Sequence, residues 1–120
     1  MFALSRSWWG LAVLVLAVMA GQPWWAGIRQ QDLGARVAQL ARPGDIHMLS
    51  SETCAICTVA RQWFTQHRVP FTECLIERDA ACRQALETTR SPGTPVLMVR
   101  GQPQVGFDPQ RLRTALERPT

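Results

Sequence analysis

The chain has 120 residues, enough for one small domain, with 47% hydrophobic and 18% charged residues and a formal net charge of +4. The basic charge is entirely arginine, scattered with no run or stripe, which argues against nucleic acid as a partner and fits a solvated surface. The chemistry must therefore come from a small set of residues, and four cysteines are the first candidates.

The N-terminal quarter differs from the rest. From Trp8 to Ala20 the sequence WWGLAVLVLAVMA carries no charge, with Arg6 and the N-terminal amine before it and Gly21 to Ile28 after it. This predicts a membrane-directed segment over residues 1–28, a transmembrane anchor or a signal helix. Small residues near Val18-Met19-Ala20 fit a signal cleavage point. Counting on to Ile28 approaches the roughly 20 residues of a bilayer crossing. The tryptophan pairs Trp8-Trp9 and Trp24-Trp25 match interfacial aromatic belts, which favours a retained single-pass anchor. Arg6 is balanced by Arg29 and Arg36, so charge hardly sets the orientation. The short N-terminal tail points to a periplasmic or extracytoplasmic domain.

Residues 29–44 form an amphipathic connector, with Leu33, Val37 and Leu40 on one helical face and Arg42-Pro43-Gly44 ending it. Packing on the domain is favoured over lying on the membrane. The domain proper occupies 45–120. Ile46–Leu49 is a short strand, and a helix follows from Cys54 to about Gln66, with Val59, Trp63 and Phe64 for the core. Phe71–Ile76 alternates as a second strand. Asp79 caps a helix to about Thr88. After the loop Ser91–Pro95 comes the strand Val96–Val99, then the turn Arg100–Pro103 and a strand at Gln104-Val105. Asp108 caps a last helix with Pro109 in its first position and Leu112 and Leu116 inward. The order is β-α-β-α-β-β-α, an α/β domain.

Cys54-Ala55-Ile56-Cys57, at the start of the first domain helix, is the minimal apparatus for thiol–disulfide exchange. A thiol there sits at the positive end of the helix dipole beside unpaired N–H groups, and such placements lower a cysteine pKa from about 8.5 to between roughly 3.5 and 7.5. Cys54 is the expected nucleophile. Cys57, one turn on, is the expected resolving thiol. No cationic side chain stands in the turn, and Glu52 would oppose the thiolate if it pointed at Cys54.

The cysteine pair at the first helix, Thr94-Pro95 before the third strand and Gly106-Phe107-Asp108 at the last helix start together resemble the glutaredoxin family, especially its NrdH-type redoxin branch, over about residues 45–118. The resemblance implies a thioredoxin-like three-layer fold: a four-stranded mixed sheet flanked by helices, here preceded by the transmembrane or signal helix. It implies a thiol–disulfide oxidoreductase with no bound cofactor and glutathione as a co-substrate. It also implies a cis Pro95 facing the cysteines, with the Thr94 backbone pairing with the substrate peptide. Gly106, Phe107 and Asp108 take the place that holds the glutamyl end of glutathione. Two positions depart from the family pattern. Ala55-Ile56 replaces Pro-Tyr, and Ser51 replaces a lysine. These remove aromatic and cationic contacts to glutathione and leave a disulfide-containing protein or a thioredoxin-reductase-like partner as alternatives.

Rival readings follow from the same cysteines. One is a metal or iron–sulfur binding module without turnover, which the resolving Cys57 argues against. Another is a four-cysteine zinc site, for which Cys74 and Cys82 lack the usual second tight knuckle. Cys74 and Cys82 are expected as two buried free thiols, ahead of a structural disulfide. His47 is expected as a strand residue with a satisfied ring, and His67 as a helix-end residue.

Overall fold

The computed structural model describes residues 3–119, with side chains described from residue 7 onward except at 21–24 and 26. Its elements are α1 (Ala3–Leu40), β1 (Ile46–Ser50), α2 (Ala55–Gln66), β2 (Thr72–Leu75), α3 (Ala80–Thr89), β3 (Val96–Val99), β4 (Gln102–Val105) and α4 (Pro109–Glu117). The chain divides into two compact units, one reaching Asp32 and the other starting at Leu33.

In the first unit, Trp8, Leu11, Leu14 and Leu16 are exposed along α1. Among the described residues no helix is long and apolar enough to cross a membrane, so the expected spanning segment is not supported there. The described run from Trp8 to Ala20 covers roughly 20 Å at about 1.5 Å per residue, and the span counted on to Ile28 runs through side chains at 21–24 and 26 that lie outside the described residues. Met1, Phe2 and the side chains of Arg6 and Trp24, which that expectation also used, lie outside the described residues.

The second unit is built on a four-stranded sheet in the order β2-β1-β3-β4. β1 is parallel to β2 and antiparallel to β3, and β4 is antiparallel to β3, so the sheet is mixed. Strand alternation sorts side chains into two layers. Ile46, Met48, Leu97 and Val99 join Val37 of α1, Ala60, Trp63 and Phe64 of α2, and Leu112 and Leu116 of α4 in the larger core. Leu49 and Val96 meet Cys82 of α3 on the opposite face. Helices therefore cover both faces, and the sheet is the middle layer.

Several expectations shift locally. The buried stripe of α2 is Cys57, Ala60, Trp63 and Phe64, which follows the helical period and leaves Val59 56% exposed instead of in the core. β4 begins at Gln102, because the turn needs only Arg100 and Gly101, both at positive φ (49° and 82°) as a two-residue hairpin requires. Pro103 is tolerated because β4 is an edge strand. His47 Nδ1 lies 2.7 Å from Thr72 Oγ1, the expected satisfied ring.

Leu33, Val37 and Leu40, on the last turns of α1, contribute to the larger core. Close approach there depends on Gly34. A Cβ at that position would run into the His67 ring, whose centroid lies 4.6 Å from that of Trp63 at a 52° tilt. Gly→Ala within a helix should gain about 1 kcal/mol from propensity, whereas overpacking costs about 1–3 kcal/mol. Gly34→Ala is expected to destabilise the chain in urea denaturation, and to become neutral or stabilising in a His67→Ala background.

Arg61 of α2 grips Glu73 of β2 with two bonds, Nε–Oε1 at 2.8 Å and Nη2–Oε2 at 2.6 Å. The guanidinium holds the Glu73 carboxyl below its ordinary value of 4.5, against an opposing push from burial. A carboxyl depressed by folding stabilises the fold above its unfolded pKa and loses that contribution as pH falls through its folded value. Denaturation curves should therefore show a stability loss setting in below about pH 4.5 that Glu73→Gln reduces.

Candidate active site

Strand register brings the predicted site residues to one end of the sheet. Leu49 of β1 lies opposite Val96 of β3, and Val96 lies opposite Val105 of β4. The loop after β1, which leads to Cys54, thus emerges beside the Thr94-Pro95 segment before β3 and the Gly106–Asp108 segment after β4. The Gly106 N–H donates to the Pro95 carbonyl at 2.8 Å and ties the last two together. The Thr94–Pro95 peptide bond is cis, as the resemblance implies.

Cys54 is the N-cap of α2, with extended backbone (φ −95°, ψ 107°), and Cys57 lies within the first turn. The two are joined as a disulfide with Cα atoms 5.2 Å apart. The Cys57 N–H donates to Cys54 Sγ at 3.0 Å. When the disulfide is reduced, that donor and the helix dipole face the Cys54 sulfur, where they favour the thiolate. Cys54 is partly exposed and Cys57 is fully buried at 0%, so only the first sulfur is placed to meet an external partner. Glu52, a potential opponent of the thiolate, pairs instead with Arg78.

The remaining predicted residues have defined surroundings. Phe107 is half-buried, with its ring centroid 5.6 Å from those of Trp63 and Phe64, so its side chain anchors the loop to the core. Asp108 caps α4, its Oδ1 accepting from the N–H groups of Gln110 at 3.0 Å and Arg111 at 3.4 Å. Gly106 has φ +83°, a conformation that favours glycine.

Cys74 and Cys82 are not the two free thiols expected. They form a second disulfide with Cα atoms 6.0 Å apart. The strand position of Cys74 and the inward face of α3 put both sulfurs on the same side of the sheet, a coincidence that sequence spacing alone does not measure. The four cysteines are consumed in two separate pairs, and no cluster of three or more His, Cys, Asp or Glu residues suited to a metal occurs among the described residues.

A second set of residues is not legible in the sequence. The Glu77 carboxylate accepts from the Ser51 hydroxyl through Oε1 and from the Glu52 N–H through Oε2 at 3.1 Å. The Ser51 Oγ in turn accepts from the Thr53 N–H at 3.3 Å. The only sequence signal is Ser51-Glu52-Thr53, a polar turn whose partner lies 26 residues from Ser51.

The glutaredoxin family model matches residues 46–104, a span that holds Cys54, Cys57, Thr94 and Pro95 and ends before Gly106. Among solved structures, the thioredoxin-like protein BC3987 is 24% identical, with 58% of this chain and 97% of that one covered and a TM-score of 0.52. A single-substitution mutant of the same protein gives 24% identity, 61% and 95% coverage and a TM-score of 0.55. No curated protein matches the chain in sequence. The domain thus has the glutaredoxin/thioredoxin fold, and its Cys54–Cys57 pair near the start of the matched span points to thiol–disulfide redox function.

The burial difference between the paired cysteines has a direct readout. After limited reduction of the native chain, iodoacetamide followed by peptide mass mapping should label Cys54 well before Cys57 and Cys82.

Proposed function

We propose that the chain is a dithiol glutaredoxin-like thiol–disulfide oxidoreductase, with Cys54 as nucleophile and Cys57 as resolving thiol. The observation that carries this reading is the Cys54 sulfur at the N-cap of α2, within 3.0 Å of the Cys57 N–H and bonded to the Cys57 sulfur. In the reducing direction the Cys54 thiolate attacks one sulfur of a substrate disulfide. A mixed disulfide forms, and the other substrate sulfur leaves as a thiolate that takes up a proton. The Cys57 thiol, losing its proton, then attacks the Cys54 sulfur and displaces the second substrate sulfur. The products are a reduced dithiol substrate and the Cys54–Cys57 disulfide, with two electrons moved from protein to substrate. Glutathione or a reductase restores the dithiol by the reverse exchange.

Thr94 and Pro95 are the residues proposed to pair with the substrate backbone. Gly106, Phe107 and Asp108 are proposed to take a glutamyl carboxylate and ammonium, for which Asp108 Oδ2 takes no hydrogen bond among the described residues. A protein disulfide is favoured over glutathione as the main substrate. Ile56 and Val59 on α2 and Val105 at the end of β4 are 54%, 56% and 48% exposed, apolar side chains that a polypeptide substrate could cover. The same reading puts the domain outside the cytoplasm, supported by the Cys74–Cys82 disulfide, of a kind that persists in oxidising compartments. Membrane association would run through the exposed apolar side chains of α1.

The test is thiol trapping on the full chain with a disulfide-containing protein and with oxidised glutathione. Cys57→Ser should accumulate a mixed disulfide at Cys54, and Cys54→Ser should accumulate none. Absence of any adduct in Cys57→Ser would overturn the assignment.

A further inference from the structure

The cap at Cys54 is only as good as the turn that delivers it, and that turn has few internal restraints. Between β1 and α2 lie Ser51, Glu52, Thr53 and Cys54. The one backbone bond closing the turn runs from the Cys54 N–H to the Ser51 carbonyl at 3.3 Å, long for such a bond. The stronger restraint comes from the segment after β2. Leu75 lies opposite Ser50 across the parallel pair, and the Ile76 N–H donates to the Ser50 carbonyl at 3.0 Å, carrying the pairing one residue past the strand. Glu77 follows and places one carboxylate oxygen on the Ser51 hydroxyl and the other on the Glu52 N–H. Ser51, nearly buried at 9%, relays the grip to the Thr53 N–H. Arg78 adds its ion pair to the Glu52 carboxylate, which is thereby occupied. Two N–H groups and one hydroxyl of the turn are thus satisfied directly or through Ser51 by a single carboxylate.

We infer that Glu77 is a positioning residue for Cys54, holding the 51–53 turn so that the Cys54 sulfur stays at the N-terminus of α2. The inference rests on the redox reading above. It adds a residue outside the cysteine pair that governs how well the nucleophile is prepared. The Ser51 hydroxyl bond holds the Glu77 carboxyl below its ordinary value, which favours the charged form of the clamp.

Position and charge predict opposite signs. A carboxylate near a thiol opposes ionisation, so if Glu77 acts only through charge, its removal lowers the Cys54 pKa. If Glu77 acts by holding the turn, removal lets the sulfur leave the helix terminus and the pKa rises. The experiment is the pH dependence of Cys54 alkylation in the reduced full chain, for the parent, Glu77→Ala, Glu77→Gln and Ser51→Ala. Positioning predicts a rise for Glu77→Ala and alkylation slowed on the order of fivefold below the parent pKa, where the rate follows the thiolate fraction. Glu77→Gln, which keeps an acceptor without the charge, should return most of the rate. Ser51→Ala, which removes only the relay, should move the pKa the same way as Glu77→Ala by less, and it decides the matter if Glu77→Ala fails to fold. A lowered pKa common to Glu77→Ala and Glu77→Gln, or an unchanged pKa in every folded variant, would overturn the inference. Loss of alkylation or of the Cys54–Cys57 disulfide in the parent would instead overturn the redox reading itself.

Discussion

The pairing of β1 with β3 is the constraint on which the rest depends. Its register sets Leu49 against Val96 and Met48 against Leu97, so the same contacts that fill the two cores decide which loops emerge together. A slip of one residue would turn Ile46 and Met48 away from Phe64 and Leu112, and Leu49 away from Cys82. Each such side chain is worth about 1.5–3 kcal/mol when buried, so slipped registers are strongly disfavoured. Because Ser50 ends β1 and Pro95 precedes β3, fixing the register also fixes the cysteine loop beside the cis-proline loop. The site's location is in that sense a by-product of apolar packing in the adjoining strands.

The helix termini show how chemistry is added to this frame. α3 and α4 are capped by Asp79 and Asp108, each accepting two N–H groups through its carboxylate. α2 has Cys54 in the same position, with one N–H on its sulfur. A neutral disulfide sulfur is a poor acceptor, whereas a thiolate is a charged one, much closer to the aspartates at the other two caps. The reduced state therefore satisfies the N-terminus of α2 better than the oxidised state does. Stabilising the reduced form makes a disulfide a stronger oxidant, so the quality of this cap and the potential of the pair are linked.

Local periodicity and capping residues make much of this legible in the sequence. Asp79 and Asp108 announce two helix starts, Leu112 and Leu116 the inner face of α4, and Cys54-Cys57 the centre of the site. The differences have a common cause. Val59 reads as core from hydrophobicity, but which stripe of α2 is buried depends on where the helix lies on the sheet. The start of β4 is displaced because Pro103 reads as a turn residue until its edge position is known. The uncharged run at Trp8 reads as a bilayer crossing only when carried on to Ile28, through side chains at 21–24 and 26 that lie outside the described residues. The Glu77 clamp has no local signature at all, since an acid after a strand is ordinary until the parallel pairing sets it against Ser51.

The second disulfide acts on the same segment. Cys74 and Cys82 are eight positions apart, and closing a loop of that size removes about 2–3 kcal/mol of chain entropy from the unfolded state in the simplest account. The loop it closes contains Glu77 and Arg78, the residues that hold the turn before Cys54. Each pair has one buried sulfur, Cys57 or Cys82, and one partly exposed, Cys54 or Cys74, but only Cys54 sits at a helix N-terminus. One pair is thus positioned to react and the other to limit the motion of the segment that positions it. The two disulfides, closing spans of three and eight positions, coexist in one small domain because helix polarity favours a thiolate at Cys54, whereas Cys74 lies within a strand.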